Sequence, residues 1–506
     1  MPRTDWLERN AQYTPDATAL VWVPTGERYT YADLHRKGER LAAALADTYG
    51  LTAGDRIAVL AANTVEHVLL FVAAQKAGVV LVPLNVRLAP PEVQYLVDDS
   101  DPHVLFVADD HAETAQDLDT DAHLVPLEDV EALIASASGE TADRATPDME
   151  DPLMILYTSG TTGRPKGAVI PHRMLFWNSV NTELRLDLTS QDRSFNAAPF
   201  HHTGGWNVLL TPFLHHGATT YLFPSFDAEA VLRLCDDEQL TILWGVPTML
   251  KMMADTDAFD DVSLDSVRYA IVGGEAMPEP LIRTWQDKGV PIRQGFGMTE
   301  VGVNCFSLPE RDALRKIGSI GVPNFYVETR VVDEDGTEVP PTTTGELLMR
   351  GPVVTPGYWR DPEATDDAID ADGWFHTGDL VEVDDEGYFF VVGRKKEMYI
   401  SGGENVYPAE VEAALYEHPA ISEAAVIGVP DETWGETGAA FLVADDPSLT
   451  AEAVNDHARA RLARYKVPTH VRFLDELPKG SSGKIQKDAL ADRIAETLSA
   501  SPDDAP

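Results

Sequence analysis

The feature that most constrains the fold of this 506-residue chain is a regular alternation of short apolar runs with helical stretches. Residues 56–60 have the composition of a buried strand, residues 64–76 that of a helix, and residues 79–82 that of a second strand. A strand–helix–strand unit of this kind connects parallel strands. The alternation returns between residues 219 and 295. We therefore expect an α/β fold with doubly wound parallel or mixed sheets, which bind ligands at the carboxyl ends of their strands.

One such strand end carries a loop with the composition of a phosphate-binding site. The apolar run at residues 153–156 leads directly into residues 157–167, YTSGTTGRPKG. Glycines let a backbone approach a ligand closely, and hydroxyls and a lysine complete a cradle for a polyanion. The Walker spacing is absent, so the loop is not that of a P-loop NTPase. The residues expected to hold phosphates are Thr158, Ser159, Gly160, Thr161, Thr162, Gly163 and Lys166.

The charge of the chain narrows its partners. It carries 83 acidic and 39 basic residues, a formal net charge of −44. Such a field repels nucleic acids and anionic membranes, so we expect neither as a partner. We expect instead a surface adapted to a high-salt cytoplasm, where screening weakens self-repulsion.

The lysines are few and clustered. Only 12 of the basic residues are lysines, and half of these lie in short motif segments. A lysine kept under such a bias marks a place where a compact ammonium on a flexible stem is required. The six are Lys166, Lys395, Lys396, Lys479, Lys484 and Lys487.

Cysteine content and hydropathy suggest a cytoplasmic location. Cys235 and Cys305 are the only cysteines and form no Cys-x-x-Cys pair, which argues against disulfides and thiolate zinc sites. Residues 1–10 contain no apolar signal segment. The longest apolar stretch, residues 68–83, is too short and too polar for a membrane span.

The texture of the sequence changes twice along the chain. From about residue 317 to 392 it consists of short β-like runs separated by Gly, Pro and Asp turns, which predict a β-rich subdomain. After that a small α/β unit follows, with helices expected at residues 408–416 and 451–463. We expect a large N-terminal domain over residues 1–394, a small mobile C-terminal α+β domain over 395–498, and a frayed tail over 499–506.

Five motifs occur in an order that resembles the adenylate-forming superfamily of acyl-CoA synthetases, aryl-CoA ligases, luciferases and peptide-synthetase adenylation domains. The resemblance runs from about Tyr29 to Leu490 and is nearest to the acyl-CoA synthetase branch. It implies ATP and CoA as co-substrates, Mg²⁺ as cofactor and a small carboxylic acid as substrate, and it is compatible with a homodimer. The motifs are residues 157–167, QGFGMTE at 294–300, TGD at 377–379, GRKKE at 393–397 and PKGSSGK at 478–484.

The resemblance assigns most of the nucleotide site. The hydroxyl of Thr299 and the carboxylate of Glu300 suit a Mg²⁺ ion that bridges phosphates. Phe296 offers a ring face to adenine where similar proteins often have tyrosine, so a hydroxyl is missing here. Asp379 resembles the acceptor for the ribose diol, with Arg394 as its partner. Further contacts to ATP or AMP are expected from Gly274, Glu275, Ala276, Gly297 and Met298.

The resemblance also implies two successive half-reactions. Lys484 is expected to stabilise charge at the α-phosphate while the carboxylate attacks, and Lys396 to be the hinge between the domains. After adenylation the Lys484 loop would leave and the segment with Gly402 and Gly403 would enter, giving the CoA thiol a path to the acyl-adenylate. Trp434 resembles a CoA contact, with a structural aromatic as the alternative.

The acyl pocket is expected at residues 199–206, PFHHTGGW, together with Gly273. His202 matches a catalytic-site histidine beside the substrate carboxylate. The histidine pair has no third metal ligand at useful spacing, which argues against a metal site there. Trp206 either walls the acyl tunnel or belongs to the core.

The sequence therefore predicts an ATP-dependent, AMP-forming acid–CoA ligase. A medium- or long-chain fatty acid is the first choice of substrate, and an aryl or branched short-chain acid is the alternative. Amino-acid activation would need an acidic residue in the pocket segment, which has none, and luciferase-type oxidation shares only the adenylation step. A nucleotide-binding protein without activity is a further alternative, against which the retained Lys484 and Glu300 argue.

Overall fold

The computed structural model describes residues 5–137, 147–158, 164–401, 404–431, 434–480 and 485–499. The strands are β1 Thr18–Trp22, β2 Glu27–Thr30, β3 Arg56–Leu60, β4 Val80–Pro83, β5 Val104–Val107, β6 His123–Pro126, β7 Pro152–Thr158, β8 Lys166–Pro171, β9 Arg193–Asn196, β10 Thr219–Leu222, β11 Ile242–Gly245, β12 Tyr269–Val272, β13 Ile292–Met298, β14 Gly302–Ser307, β15 Ser319–Pro323, β16 Glu328–Val332, β17 Gly345–Arg350, β18 Phe375–Val383, β19 Phe389–Arg394, β20 Tyr399–Ser401, β21 Glu404–Val406, β22 Ile421–Asp431, β23 Gly435–Ala444 and β24 His470–Phe473.

The α-helices lie between these strands and around them. They are α1 Trp6–Tyr13, α2 Tyr31–Tyr49, α3 Val65–Ala77, α4 Pro90–Ser100, α5 Ala112–Gln116, α6 Val130–Ser136, α7 His172–Leu186, α8 Thr203–Asn207, α9 Leu210–His216, α10 Ala228–Asp237, α11 Pro247–Ala254, α12 Asp257–Asp261, α13 Glu279–Asp287, α14 Pro362–Ala368, α15 Pro408–Tyr416, α16 Ala451–Arg459 and α17 Lys487–Ser499. No described helix is long and apolar enough to cross a bilayer.

The strands of the described residues form four sheets. A six-stranded sheet has the order β6-β5-β3-β4-β7-β8 and is parallel except for its last pair, and a four-stranded sheet has the order β2-β1-β10-β9. A nine-stranded sheet, β11-β12-β13-β14-β15-β19-β18-β17-β16, is parallel over its first three strands and antiparallel beyond them. The C-terminal sheet is β21-β20-β23-β22, with β24 beside β23. The predicted α/β class, with a large domain of mixed sheets and a small C-terminal domain, is confirmed.

The first strand–helix–strand unit shows why the pattern folds this way. Helix α2 begins at Thr30, whose hydroxyl and the Asp33 carboxylate cap each other's backbone, and ends at Gly50 in the left-handed conformation. Helix α3 is apolar all round and buried between the sheet and α2. The two helices approach so closely at Gly38 that any side chain there would meet Val72.

The alternation at residues 219–295 is split between two sheets. Strand β10 pairs with β1 and β9, whereas β11, β12 and β13 form the parallel part of the nine-stranded sheet. The predicted β-rich region corresponds to β15–β19, which are antiparallel neighbours. Helix α16 ends at Arg459 rather than at Ala463. Local pattern located the strands, but sheet membership depends on long-range pairing that the pattern does not carry.

Helix α3 carries a fully buried titratable group. His67 is 1% exposed and lies edge-on to the rings of Phe200 and Trp206, with centroid distances of 5.0 Å and 5.6 Å. Burial lowers the pKa of His67 to about 3. The unfolded chain therefore takes up a proton near pH 6.5 that the native state refuses, and the stability due to this group falls as the pH drops below that value.

We predict that His67→Phe weakens the acid sensitivity of the fold. Between pH 6 and pH 5 this one histidine contributes a loss of up to about 1.4 kcal/mol per pH unit to the free energy of unfolding. Phenylalanine keeps an aromatic ring in place and takes up no proton. Urea unfolding of both proteins at pH 7.5, 6 and 5 measures the difference. Equal pH slopes would contradict the assignment.

Candidate active site

A cavity of about 1110 Å³ opens where strands of two sheets end. Its wall includes Thr158 at the end of β7, Gly273 and Gly274 after β12, and Glu300 after β13. Gly480, from the C-terminal domain, also lines it. The cavity thus lies at the carboxyl ends of strands, as predicted, and both domains contribute to it.

The carboxylate of Glu300 is the polar centre of this cavity. The residue is 8% exposed, and its Oε1 accepts hydrogen bonds of 3.1 Å from the hydroxyl of Thr158 and of 3.1 Å from that of Tyr358. Burial and the neighbouring Glu300 raise the pKa of Tyr358 well above its usual value, so the phenol stays protonated and donates. A buried carboxylate held in this way offers the hard oxygen that Mg²⁺ prefers.

The phosphate-loop segment begins and ends beside Glu300. Strands β7 and β8 form an antiparallel hairpin in which Thr158 pairs with Lys166, and both residues line the cavity. The ammonium of Lys166 lies 5.4 Å from the ring centroid of Tyr358. The other predicted phosphate ligands, Ser159, Gly160, Thr161, Thr162 and Gly163, lie outside the described residues.

The hairpin of β13 and β14 supplies the adjacent wall. Phe296, Gly297, Met298 and Thr299, which the resemblance assigns to the nucleotide site, all line the cavity. The Phe296 ring packs edge-on against Phe306 at a centroid distance of 5.6 Å, which fixes the plane it presents. A side chain at Gly297 would collide with the backbone of the partner strand at residues 302–303, so glycine is required there.

The segment after β12 is braced from the same hairpin. The amide of Gln294 donates to the carbonyl of Glu275 at 2.9 Å and accepts from the N–H of Met277 at 3.2 Å. Gly274 has a φ of +85° and lines the cavity. Glu275 and Ala276, predicted to contact the nucleotide, are not among the cavity-lining residues.

Asp379 and Arg394 are paired, as expected. They lie opposite each other on β18 and β19, and Arg394 Nε is 2.6 Å from Asp379 Oδ1. The Asp379 side chain is only 3% exposed, and the residues that reach the cavity surface here are Thr377, Gly378 and Arg394. The ion pair therefore lies behind the part of the cavity wall that β18 and β19 form, and supports it.

The predicted acyl-pocket segment also lines the cavity. Burial, reinforced by Arg87, lowers the pKa of His202 to about 4, so this histidine is neutral at physiological pH. Asn63 holds the segment on both sides, donating to the carbonyl of Ala198 at 2.8 Å and accepting from the N–H of Phe200 at 3.0 Å. The bracing role of Asn63 was missed because it lies far upstream in the sequence.

Trp206, at the end of the same segment, does not line the cavity. It is fully buried and stacks on Phe200 at a centroid distance of 4.2 Å. The structure thus favours the core role over the tunnel-wall role. The indole that does line the cavity is that of Trp244, on β11, which sequence reasoning did not single out.

The C-terminal residues of interest divide into three groups. Lys396, the predicted hinge, lines the cavity together with Gly480. Trp434 is 51% exposed and does not line it. Lys484, Gly402 and Gly403 lie outside the described residues.

Comparison with known proteins identifies the family. A model described as AMP-binding enzyme matches residues 7–359, and one described as AMP-binding enzyme C-terminal domain matches residues 410–484. The chain belongs to the AMP-binding enzyme family. The predictions that it is an enzyme of the adenylate-forming superfamily, and of its acyl-CoA synthetase branch, are confirmed.

Named relatives match over nearly their whole length. A feruloyl-CoA synthase of an Amycolatopsis species is 41% identical over 97% of this chain and 98% of its own. An indoleacetate–CoA ligase of Aromatoleum aromaticum is 40% identical over 98% of each chain, and the long-chain-fatty-acid–CoA ligase FadD13 of Mycobacterium tuberculosis is 37% identical over 98% of this chain and 100% of its own.

Solved structures agree with this placement. ATP-bound MatB from Rhodopseudomonas palustris superposes with a TM-score of 0.90 at 31% identity, covering 98% of this chain and 100% of that one. An anthranilate–CoA ligase in complex with anthranoyl-AMP has a TM-score of 0.90 at 30% identity, covering 98% of each chain.

We predict that Tyr358→Phe slows the adenylation step by about tenfold, because loss of one hydrogen bond to a charged group costs about 1.5 kcal/mol. Pyrophosphate release in the absence of CoA measures the effect. Tyr388→Phe is the matched control, since Tyr388 also donates to a carboxylate, at 2.6 Å from Asp312, but does not line the cavity. Its adenylation rate should be unchanged, and equal losses in the two variants would contradict the role of Tyr358.

Proposed function

We propose that the protein activates a carboxylic acid in two steps, first to an acyl-adenylate with release of pyrophosphate and then to an acyl-CoA with release of AMP. The observation that carries this proposal is the convergence of the Thr158 and Tyr358 hydroxyls on the buried carboxylate of Glu300, with the ammonium of Lys166 near the Tyr358 ring. This cavity at the strand ends brings together hydroxyls, an ammonium and a carboxylate. Such groups suit a nucleoside triphosphate and the cation that accompanies it.

In the first step a carboxylate oxygen of the acid attacks the α-phosphorus, and the bond to the bridging oxygen of pyrophosphate breaks. Lys166 and the hydroxyls of Thr158 and the following loop hold the leaving phosphates. Lys484 stabilises the charge that develops at the α-phosphate. Asp379 and Arg394 support the ribose, and Phe296 presents its ring to adenine.

Magnesium fits this site as an ion bound mainly by the substrate. No cluster of three or more His, Cys, Asp or Glu side chains suited to a metal occurs in the part of the chain that the structure describes. One buried carboxylate, Glu300, with hydroxyl neighbours is the donor set of an ion that takes its other ligands from phosphates and water. When bound, the ion would neutralise phosphate charge; Glu300 and Thr299 are the residues that would hold it.

In the second step the CoA thiol attacks the acyl carbon and AMP leaves. Rotation about Lys396 would exchange the segment of Lys484 for that of Gly402 and Gly403, whose lack of side chains leaves room for the pantetheine arm. Neutral His202 faces the substrate carboxylate as a hydrogen-bonding group rather than as a cation. Trp434, exposed on the small domain, is a candidate contact for CoA.

We propose an aromatic acid as the substrate, in place of the fatty acid that the sequence analysis put first. Gly204 and Gly273 leave the backbone bare at the acyl end, and a Cβ on Gly204 would lie 3.3 Å from the Trp244 ring. Bare peptide planes beside an indole form a flat slot suited to a planar ring. Support also comes from the relatives, because the two with the highest identities described above act on feruloyl and indoleacetate groups by name.

A fatty acid is the second candidate, supported by the 37% identity to FadD13. The aromatic and fatty acids differ in whether the far end of the proposed slot must be open or closed. A fatty acyl chain needs a continuing tunnel, whereas an aromatic acid is best served by a closed end. Trp244, 7% exposed and packed in the core, supports the closed form.

We predict that Lys484→Ala lowers adenylation by about 100-fold or more while sparing thioester formation from supplied acyl-adenylate, because one positioned charge acts only in the first transition state. Pyrophosphate release and acyl-CoA formation are measured separately, in dilute buffer and in molar KCl because of the proposed high-salt adaptation. Parallel loss of both half-reactions would overturn the role of Lys484. Absence of pyrophosphate release from the wild type with any acid would overturn the proposed function.

We predict that Trp244→Ala shifts specificity from hydroxycinnamic and arylacetic acids toward fatty acids of eight or more carbons, by about tenfold or more in the ratio of kcat/KM. The reason is the volume opened behind Gly204. Trp244→Phe, which keeps an aromatic end wall, is the control and should retain the aromatic preference. A wild type that prefers fatty acids, or a ratio unmoved by Trp244→Ala, would contradict the closed slot.

A further inference from the structure

Lys487 is a retained lysine that none of the roles above uses. It is the first residue of α17 and follows the PKGSSGK motif by three positions. Its ammonium lies 3.0 Å from Glu397 Oε2 and 2.8 Å from Glu412 Oε1, and its side chain is 20% exposed. Burial alone would lower the pKa of Lys487, but the two carboxylates outweigh it and raise the pKa. The group is a fixed cation between two anions.

The two carboxylates come from different parts of the small domain. Glu397 belongs to the turn that contains Lys396, where the N–H of Glu397 donates to the carbonyl of Arg394 at 2.9 Å. Glu412 lies on α15, and its Oε1 also accepts from the N–H of Val426 on β22 at 2.7 Å. Lys487 therefore connects the turn beside the predicted hinge with the centre of the small domain.

The residues next to Lys487 form the base of the segment that carries Lys484. Lys479 and Ile485 pair as an antiparallel bridge, and the N–H of Gln486 bonds the carbonyl of Pro478 at 2.8 Å. Gly480, beside this base, lines the cavity. A shift of Lys487 is thus transmitted within two residues to the base.

We propose that Lys487 is a positioning residue for adenylation, which ties the base formed by Lys479 and Ile485 to the turn that contains Lys396. The inference rests on the proposed function and deepens it. Glu397, Glu412 and Lys487 all lie on the C-terminal side of Lys396, so the three groups turn together when the small domain moves. The arrangement fixes the distance between hinge and segment, and with it the approach of the segment to the cavity.

The chain supplies a matched control for the energetic part of this ion pair. Lys466 Nζ lies 2.6 Å from Glu410 Oε1, also on α15, and its side chain is 19% exposed. This pair resembles that of Lys487 in domain, in helix and in the burial of the ammonium, but within the described residues neither partner forms an ion pair with the turn that contains Lys396 or with the base of the segment. Removal of either ammonium leaves partner carboxylates of the small domain without their counter-charge, so both changes should lower thermal stability.

The test compares Lys487→Met, Lys487→Arg and Lys466→Met in the two half-reactions. We expect Lys487→Met to lower the rate of pyrophosphate release at saturating ATP about tenfold or more, with acyl-CoA formation from supplied acyl-adenylate within about twofold of the wild type. Lys487→Arg should recover most of the loss. Lys466→Met should lower the melting temperature and leave the ratio of the two rates unchanged.

The opposite results are equally informative. Parallel loss of both half-reactions, a loss confined to melting temperature, or unchanged adenylation in Lys487→Met would overturn the positioning role. If Lys487→Met does not fold, Glu397→Gln, which removes the negative charge opposite Lys487 in the turn and leaves the pair with Glu412, should give the same split in weaker form, and its absence would overturn the inference. A wild type without pyrophosphate release would instead sink the proposed function.

Discussion

The rest of the site depends on the hydrogen bonds that the buried carboxylate of Glu300 accepts. It joins the hairpin β13–β14 of one sheet to the end of β7 in another through Thr158, and to the segment after β17 through Tyr358. The carbonyl of Glu300 extends the same junction, accepting from the N–H of Thr355 at 2.7 Å. Burial of a carboxylate costs free energy unless hydrogen-bond donors are held in place around it. The contacts that join the sheets at Glu300 are therefore the same contacts that keep its carboxylate available in the cavity.

Much of this could be predicted from sequence because the chemistry-bearing residues sit in compact motifs. The strand ends and the motif at residues 294–300 lie at the cavity, and Asp379 and Arg394 form an ion pair beside it. Tyr358, Asn63 and Trp244 were missed for a common reason. Each acts through contacts with residues far away in the chain, and its own neighbourhood has no distinctive spacing.

The two roles of Trp206 were left open for the same reason. A tryptophan that follows a pocket motif by a few residues can turn toward the ligand or toward the core, and local spacing does not decide between them. Here the indole N–H donates to the carbonyl of Phe200 at 2.6 Å and the ring stacks on Phe200. The hydrogen bond holds Trp206 in the core, and Gly204 and Trp244 are left to line the cavity.

The few lysines of this acidic chain differ in how strongly salt would screen their ion pairs. Of the lysines that the structure describes, at least eight form ion pairs with carboxylates. In concentrated salt, exposed pairs are screened within a few ångströms and stabilise little. A half-buried pair is screened less, so an ammonium such as that of Lys487, held between Glu397 and Glu412, keeps its effect where a surface lysine would lose it.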